Sequence, residues 1–207
     1  MMRIQKKLFK SVRWYTRDAY NRLKYGPEAP VSCEKVSVDP STITHLLVGD
    51  NISRSDSGSV LGGDWDLNQR EIEKSPKYRI CHERFVNGKT WEEAGAYRLM
   101  MDLVKKKPGE DGCSTMDDII KRYEHVDILY HHIAEEKKLM SRSEMNPGNF
   151  RESNGVYVHI DREGQIVFGN GGWHRLILSK ILGLQHIPAQ LGVVHENAVA
   201  FWRRRLL

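Results

Sequence analysis

Along residues 3–24 apolar side chains recur at spacings of four and three, at Ile4, Leu8, Val12, Tyr15, Ala19 and Leu23. That period predicts a helix with one apolar stripe and otherwise basic faces. The plain expectation is a helix that docks on the body by its stripe and leaves its lysines in water. Membrane-surface or nucleic-acid binding is the functional alternative. The run Tyr25-Gly26-Pro27-Glu28-Ala29-Pro30 stops the helix. Residues 34–48 then give a short strand, a turn at Asp39-Pro40 and a further short element. Residues 49–66 are rich in Gly, Ser and Asp and read as a long loop, a kind usually functional or mobile.

Thr90 and Glu93 form a T-x-x-E capping box, which predicts a helix start at Thr90. Pro108-Gly109 ends that helix. Ser114 or Thr115 caps the next, which runs to about Met140 with Met116, Ile119, Tyr123, Ile133 and Met140 among its apolar positions. Glu83 and Arg84 fall in a segment with no assigned element or role. Another break follows at Asn146-Pro147-Gly148-Asn149. Beyond it, Gly155–Asp161 alternates as a strand should, Arg162-Glu163-Gly164 is a turn, and Gln165–Phe168 is the second strand of a hairpin. A Gly-rich turn follows, then a helix from about Trp173 to Leu182 with Gly183 as its cap, then a closing strand, Ile187–Val194.

These elements make an α+β chain. The expected organisation is a basic N-terminal helix over 1–25 and a single domain over 31–207, with a helical insertion at about 90–145. The 207 residues suffice for a sizeable core, and 40% hydrophobic with 29% charged residues describes a soluble globular protein. Charge changes the picture because it is uneven. Residues 1–25 hold eight Lys or Arg and one Asp, a net +7, which leaves −2 for the rest of a chain whose total is +5. A body-wide nucleic-acid surface is therefore not expected; any basic binding belongs to the N-terminal arm and to Arg203-Arg204-Arg205. Three widely spaced cysteines, Cys33, Cys81 and Cys113, fit neither a disulfide framework nor a zinc knuckle. No apolar run is long enough to span a bilayer and charges interrupt the first twenty residues, so a reducing, cytoplasmic setting is expected.

The candidate chemistry centres on Gly169-Asn170-Gly171-Gly172-Trp173-His174-Arg175. A strand that feeds a helix through glycines aims the first helical N–H groups, and the positive end of the helix dipole, at whatever sits over the turn. Arg175 offers a bidentate fork for phosphate, and His174 can donate a hydrogen bond or act as acid or base near neutral pH. The spacing is neither a Walker loop nor G-x-G-x-x-G. On the residues alone, a phosphate clamp and a purely structural turn stand about level.

The segment 156–194 resembles the ParB/sulfiredoxin superfamily. Gly172-Trp173-His174-Arg175 matches its Gly-x-His-Arg box, Leu182-Gly183 its helix stop, and Ile187-Pro188 the start of its following strand. Glu34 to Ile43 resembles its first strand, with a "V-DP--I" pattern. The resemblance implies a small mixed sheet with packed helices and a nucleotide site holding the phosphates of ATP or CTP, with Mg²⁺. It implies phosphate-binding roles for Gly169, Asn170, Gly171, Gly172, His174 and Arg175. Ser141, Arg142 and Ser143, entering the hairpin, are second-rank candidates. Trp173 stands where sulfiredoxin has its catalytic cysteine, so sulfinic acid reduction is not expected. The Gly-Glu-Arg-Arg box of partition proteins is incomplete here, so neither is chromosome partitioning.

Two further clusters were weighed. Asp64 and Asp66 flank Trp65 in a Gly-rich loop and could supply a Mg²⁺ ligand or a base for an acceptor hydroxyl; the bland reading is an exposed turn with Trp65 tucked in. His131 with Glu135, and His132 with Glu136, share helix faces, but a solvated face is the expectation there. His159 could line the site or face solvent. The expected function is an ATP- or CTP-dependent phosphotransferase or nucleotide hydrolase, with a small-molecule acceptor near Asp64–Asp66. The alternatives are a DNA-binding or DNA-processing protein acting through the basic helix, and a non-catalytic nucleotide-sensing module.

Overall fold

The computed structural model describes residues 2–49 and 52–206; the side chains of residues 2–11 and 205 lie outside that description. It is α+β: among the described residues, six α-helices and a seven-stranded mixed sheet. The chain forms two compact units. One comprises Met1–Glu71, Met140–Gly172 and Gln185–Leu207; the other comprises Ile72–Leu139 and Trp173–Leu184.

The first unit carries the sheet. Strands β1 (Lys35–Val38), β2 (His45–Leu47), β3 (Val60–Leu61), β4 (Gln69–Glu71), β5 (Val156–Ile160), β6 (Ile166–Gly171) and β7 (Ile187–His195) stand in the order β1-β7-β5-β6-β2-β4, and β3 also pairs with β7. The expected hairpin is present: β5 and β6 pair antiparallel around Arg162–Gly164, with Val158 opposite Phe168 and Ile160 opposite Ile166. The strand expected to close the fold lies inside it. β7 runs parallel to β5 on one side and antiparallel to β1 on the other. Every residue of β5 and all but one of β7 are buried, as strands covered on both faces must be.

One face of this sheet is built around His159. Its imidazole is buried against β6 and β7, and Nδ1 accepts the Val193 N–H at 3.0 Å. A Cβ at Gly169 or at Gly192 would collide with that ring. Tyr157 packs edge-on at 4.7 Å and Trp65 edge-on at 5.7 Å. Burial pushes the imidazole down to about 3, so it is neutral in ordinary buffers.

Helix α1 (Met2–Tyr25) docks on this unit, but not by its apolar stripe. Among its described side chains, the buried ones are Trp14, Asp18 and Asn21. Asn21 donates to the carbonyls of Pro30 and Gly58, both at 2.7 Å; Asp18 accepts the Ser32 N–H at 2.7 Å and pairs with Arg151 at 2.8 Å. Arg17 donates to the carbonyls of Ser55 and Ser57, and Trp14 stacks on Phe150 at 4.8 Å. Val12, Ala19 and Leu23 face solvent instead, and Tyr15, also exposed, touches Phe150 edge-on at 5.8 Å. Directional bonds to backbone groups outweigh the stripe's tendency to turn inward. Ile4, Leu8, Arg3, Lys6, Lys7 and Lys10 have side chains outside the described set. The stretch expected as a long loop holds a 3₁₀ turn, Arg54–Asp56, closed by a Ser53–Asp56 capping box, and then β3.

The second unit is helical: α2 (Pro76–Phe85), α3 (Ala96–Lys106), α4 (Met116–Glu136) and α6 (Trp173–Ile181); the short α5 (Arg142–Met145) belongs to the first unit. Helix α2 was not foreseen. Its signal is Ser75-Pro76, where the serine hydroxyl caps by accepting from the Tyr78 N–H and proline takes the first turn. It begins the helical segment well before residue 90. The Thr90–Glu93 box forms as a hydrogen-bonded turn, but the helix begins at Ala96, because Gly95 adopts φ +81 and breaks the first turn. Thr115, not Ser114, caps α4, and Lys137 in the left-handed region ends it before Met140. Arg84, left without a role by the sequence, holds Asp127 through two bonds of 3.0 and 3.1 Å, and Asp127 also accepts the Trp91 indole N–H.

Because an added methyl at Gly192 meets a rigid buried ring, Gly192→Ala should lower the unfolding free energy by about 1–3 kcal/mol. Urea unfolding of the two proteins measures this.

Candidate functional site

The strand-to-helix turn is present as the spacing predicts: β6 ends at Gly171, Gly172 is the single connecting residue, and α6 begins at Trp173. Asn170 and Gly172 have φ of +59 and +83. A Cβ at Gly172 would press on the Val156 backbone, so the tight turn requires glycine there. Asn170 is held by its side-chain amide, which donates to the Leu47 carbonyl at 2.7 Å. Gly169 is a glycine because Tyr157 and His159 cover it.

The structure adds a residue that sequence reasoning missed. The guanidinium of Arg54 lies against Gly171, where a Cβ would collide with it. It donates to Gln190 Oε1 at 2.7 Å and to the Gly155 carbonyl at 3.1 Å, and stands 5.1 Å over the Tyr157 ring. Tyr157 in turn donates its phenol to the Ser53 carbonyl. All these partners are neutral, and among the described residues Arg54 has no carboxylate partner. Burial, reinforced by the positive charge of Arg142, holds Arg54 below the usual guanidinium value, while the Tyr157 hydroxyl opposes this. The group remains a cation. A half-buried cation whose partners among the described residues are all neutral oxygens keeps an uncompensated charge.

Ser141 and Arg142, both expected near phosphates, belong to this same unit. Ser141 is buried and its hydroxyl caps α5 by accepting the Glu144 N–H. The Arg142 N–H binds the Glu152 carboxylate, and Arg142 Nε donates to the Asn154 carbonyl at 3.0 Å. The Ser143 hydroxyl meets that of Ser141 at 3.0 Å.

His174 and Arg175 open α6 in the helical unit, His174 half-buried and Arg175 buried. Arg175 is 4% exposed. The His174 ring meets Tyr123 edge-on at 5.9 Å. Burial first, then the positive charges of Arg122 and Lys77, push it down to about 3. The imidazole is thus neutral at ordinary pH with its basicity lowered, which suits a hydrogen-bonding role better than the expected acid or base role. No carboxylate lies in the first turn of α6 to oppose an anion. Lys77 and Arg122 both pair with Asp111, at 3.7 and 2.8 Å.

The acidic loop is also corrected. Asp66 is 2% exposed and its carboxylate is taken up by Arg162, which donates Nε to both oxygens at 3.1 and 2.9 Å, its terminal N–H at 2.6 Å and its backbone N–H at 2.9 Å. Burial would raise the Asp66 carboxyl, but these bonds more than offset it and hold it below the usual carboxylate range. Asp64 is exposed and shares the same arginine at 2.9 Å. So Asp64 and Asp66 share Arg162, but as a clamp closing the Gly63–Arg162 neighbourhood. Asp66, held on both oxygens by this guanidinium, does not fit as a Mg²⁺ ligand or as a base, while Asp64 keeps an exposed carboxylate with one bond to the same group. Among the described residues, no group of three or more His, Cys, Asp or Glu is placed to hold a metal ion, and no helix is long and apolar enough to cross a membrane. His131 and His132 lie on the exposed or half-exposed side of α4.

Arg54 and Arg162 carried no local sequence signal. Each acts across roughly a hundred residues of chain, and only the Ser53–Asp56 box hinted that Arg54 sits in an ordered turn. Comparison with protein-family models, with curated proteins and with solved structures finds no match.

The titrating groups give stability a defined pH dependence. His159 and His174 have folded values below their unfolded value of about 6.5, so the unfolded chain takes up protons first and stability falls as pH drops below about 6.5. Asp66 adds a further loss below about pH 4. Urea midpoints measured across this range should decline in both windows. Asp66→Asn should cost about 2 kcal/mol at neutral pH and reduce the lower-pH component while leaving the decline below about 6.5 in place.

Proposed function

We propose that this chain binds a nucleotide, with the phosphate end at the β6 turn beside Arg54. The observation that carries this reading is Arg54 itself: a half-buried guanidinium against Gly171, with neutral partners and a second arginine, Arg142, close enough to depress it. A phosphate would supply the missing negative charge in a bidentate geometry that arginine favours. The ligand class comes from the ParB/sulfiredoxin resemblance of residues 156–194, which makes ATP or CTP the first candidates.

Of the catalytic and non-catalytic readings, the non-catalytic nucleotide-sensing one has more support. Phosphoryl transfer or hydrolysis calls for a carboxylate or imidazole able to take a proton, or for a metal held by acidic ligands. Asp66 is engaged by Arg162 and His174 is held neutral with a depressed value. A phosphotransferase would rest on Asp64, which is exposed. DNA binding through the N-terminal helix has less support, since Arg13 pairs with Asp56 and Arg17 is spent on backbone carbonyls.

Isothermal titration with ATP, CTP and GTP, each with and without Mg²⁺, tests the reading. Saturable binding of at least one nucleotide is expected, weakened about tenfold or more by Arg54→Ala in a protein that remains folded by circular dichroism. Absence of binding at millimolar nucleotide rejects it. Phosphate release over hours should stay at background; steady release abolished by Asp64→Asn would establish the phosphotransferase or hydrolase reading instead.

A further inference from the structure

Helix α1 is fixed to its unit by the wrong face for a simple amphipathic helix. Its inward side is Trp14, Arg17, Asp18 and Asn21, bonded to backbone groups of Pro30, Ser32, Ser55, Ser57 and Gly58. Those bonds are directional and mostly enclosed, so they fix the helix's roll about its own axis. The result is that the described part of the apolar stripe, from Val12 to Leu23, lies mostly in solvent, with Tyr15 touching the body only edge-on at Phe150, 5.8 Å away. Val12 is 54% exposed, Tyr15 58% and Leu23 89%, with Ala19 also exposed between them. A helix free to roll would turn such a stripe inward. This one is held with that part of its stripe mostly in water.

Charge says what could cover the stripe. Arg22 and Lys24 are exposed beside it, and Arg13, also exposed, pairs with Asp56 at 3.3 Å. The segment 1–25 has a net charge of +7, and its one acidic residue, Asp18, is buried on the docked side. A second copy of this helix would bring like charges together across an apolar seam. A nucleic acid would meet the cations but offer nothing to Val12 and Leu23. An anionic lipid surface satisfies both: headgroups take the flanking cations and the acyl boundary takes the stripe. A helix of 24 residues is long enough to lie along that boundary.

We propose that α1 is an in-plane anchor that binds the protein peripherally to anionic membranes through Val12, Tyr15, Ala19 and Leu23, with Arg22 and Lys24 at its flanks. The inference is independent of the nucleotide site.

Co-sedimentation with vesicles tests it, using phosphatidylcholine alone and phosphatidylcholine mixed with phosphatidylglycerol. The full chain should bind the anionic vesicles, bind the neutral ones far more weakly, and lose affinity as salt rises. Val12→Glu with Leu23→Glu should weaken binding about tenfold or more without moving the urea midpoint, because both positions are exposed. Arg22→Glu with Lys24→Glu should weaken it similarly at low salt. No binding to anionic vesicles at low salt, equal binding to neutral vesicles, or binding unchanged by the stripe variants overturns the proposal. So does duplex DNA binding that is tighter than vesicle binding and indifferent to Val12→Glu and Leu23→Glu.

Discussion

The imidazole of His159 lies across the centre of the sheet, and its neighbours on both sides must give way to it. Gly169 on β6 and Gly192 on β7 have no Cβ because the ring occupies that space, while the Val193 N–H fixes Nδ1 as an acceptor. Tyr157 and Trp65 close over the same ring. The ring is neutral, so this polar group sits in the core with one bond satisfied and no charge to solvate. The pairing of β5 with β6 and β7 depends on that fit, and the end of β6 is placed by it.

From that placement the remaining glycines acquire separate reasons. Gly172 is needed for a positive φ against the Val156 backbone, and Gly171 leaves room for Arg54. Thus a run that looks like one phosphate-binding unit is three local constraints in succession, only the last two of which concern the turn. The turn's positive character in the sheet unit comes from Arg54, with Arg142 nearby, rather than from the His-Arg pair that follows it in the chain. The acidic loop contributes a clamp: Arg162 consumes Asp66 from side chain and backbone alike, which joins the Gly-rich loop to the β5–β6 turn.

Much of the fold was legible because its signals were local. The β5–β6 hairpin, the turn, α6 and its stop at Gly183 follow from alternation, helical period and glycine chemistry over a few residues each. Helix α2 was hidden because its hydrophobic period is weak and its cap, Ser75-Pro76, lies at the end of a polar run. The start of α3 misled because a capping box can close a turn that Gly95 then interrupts. For α1 the period was read rightly but the docked side was not. Asp18 and Asn21 reach backbone groups from residues 30 to 58, and no pattern within the helix announces those partners. The site was half legible for the same reason: the turn is contiguous, whereas Arg54 reaches it from a distant loop.

The central claim is that the half-buried cation at the β6 turn holds a phosphate. A crystal structure of the protein soaked with ATP or CTP addresses it most directly. The account predicts a phosphate oxygen within hydrogen-bond distance, about 3 Å, of the Arg54 guanidinium at Gly171. Nucleotide bound elsewhere, with Arg54 still held only by Gln190 and the Gly155 carbonyl, would contradict it.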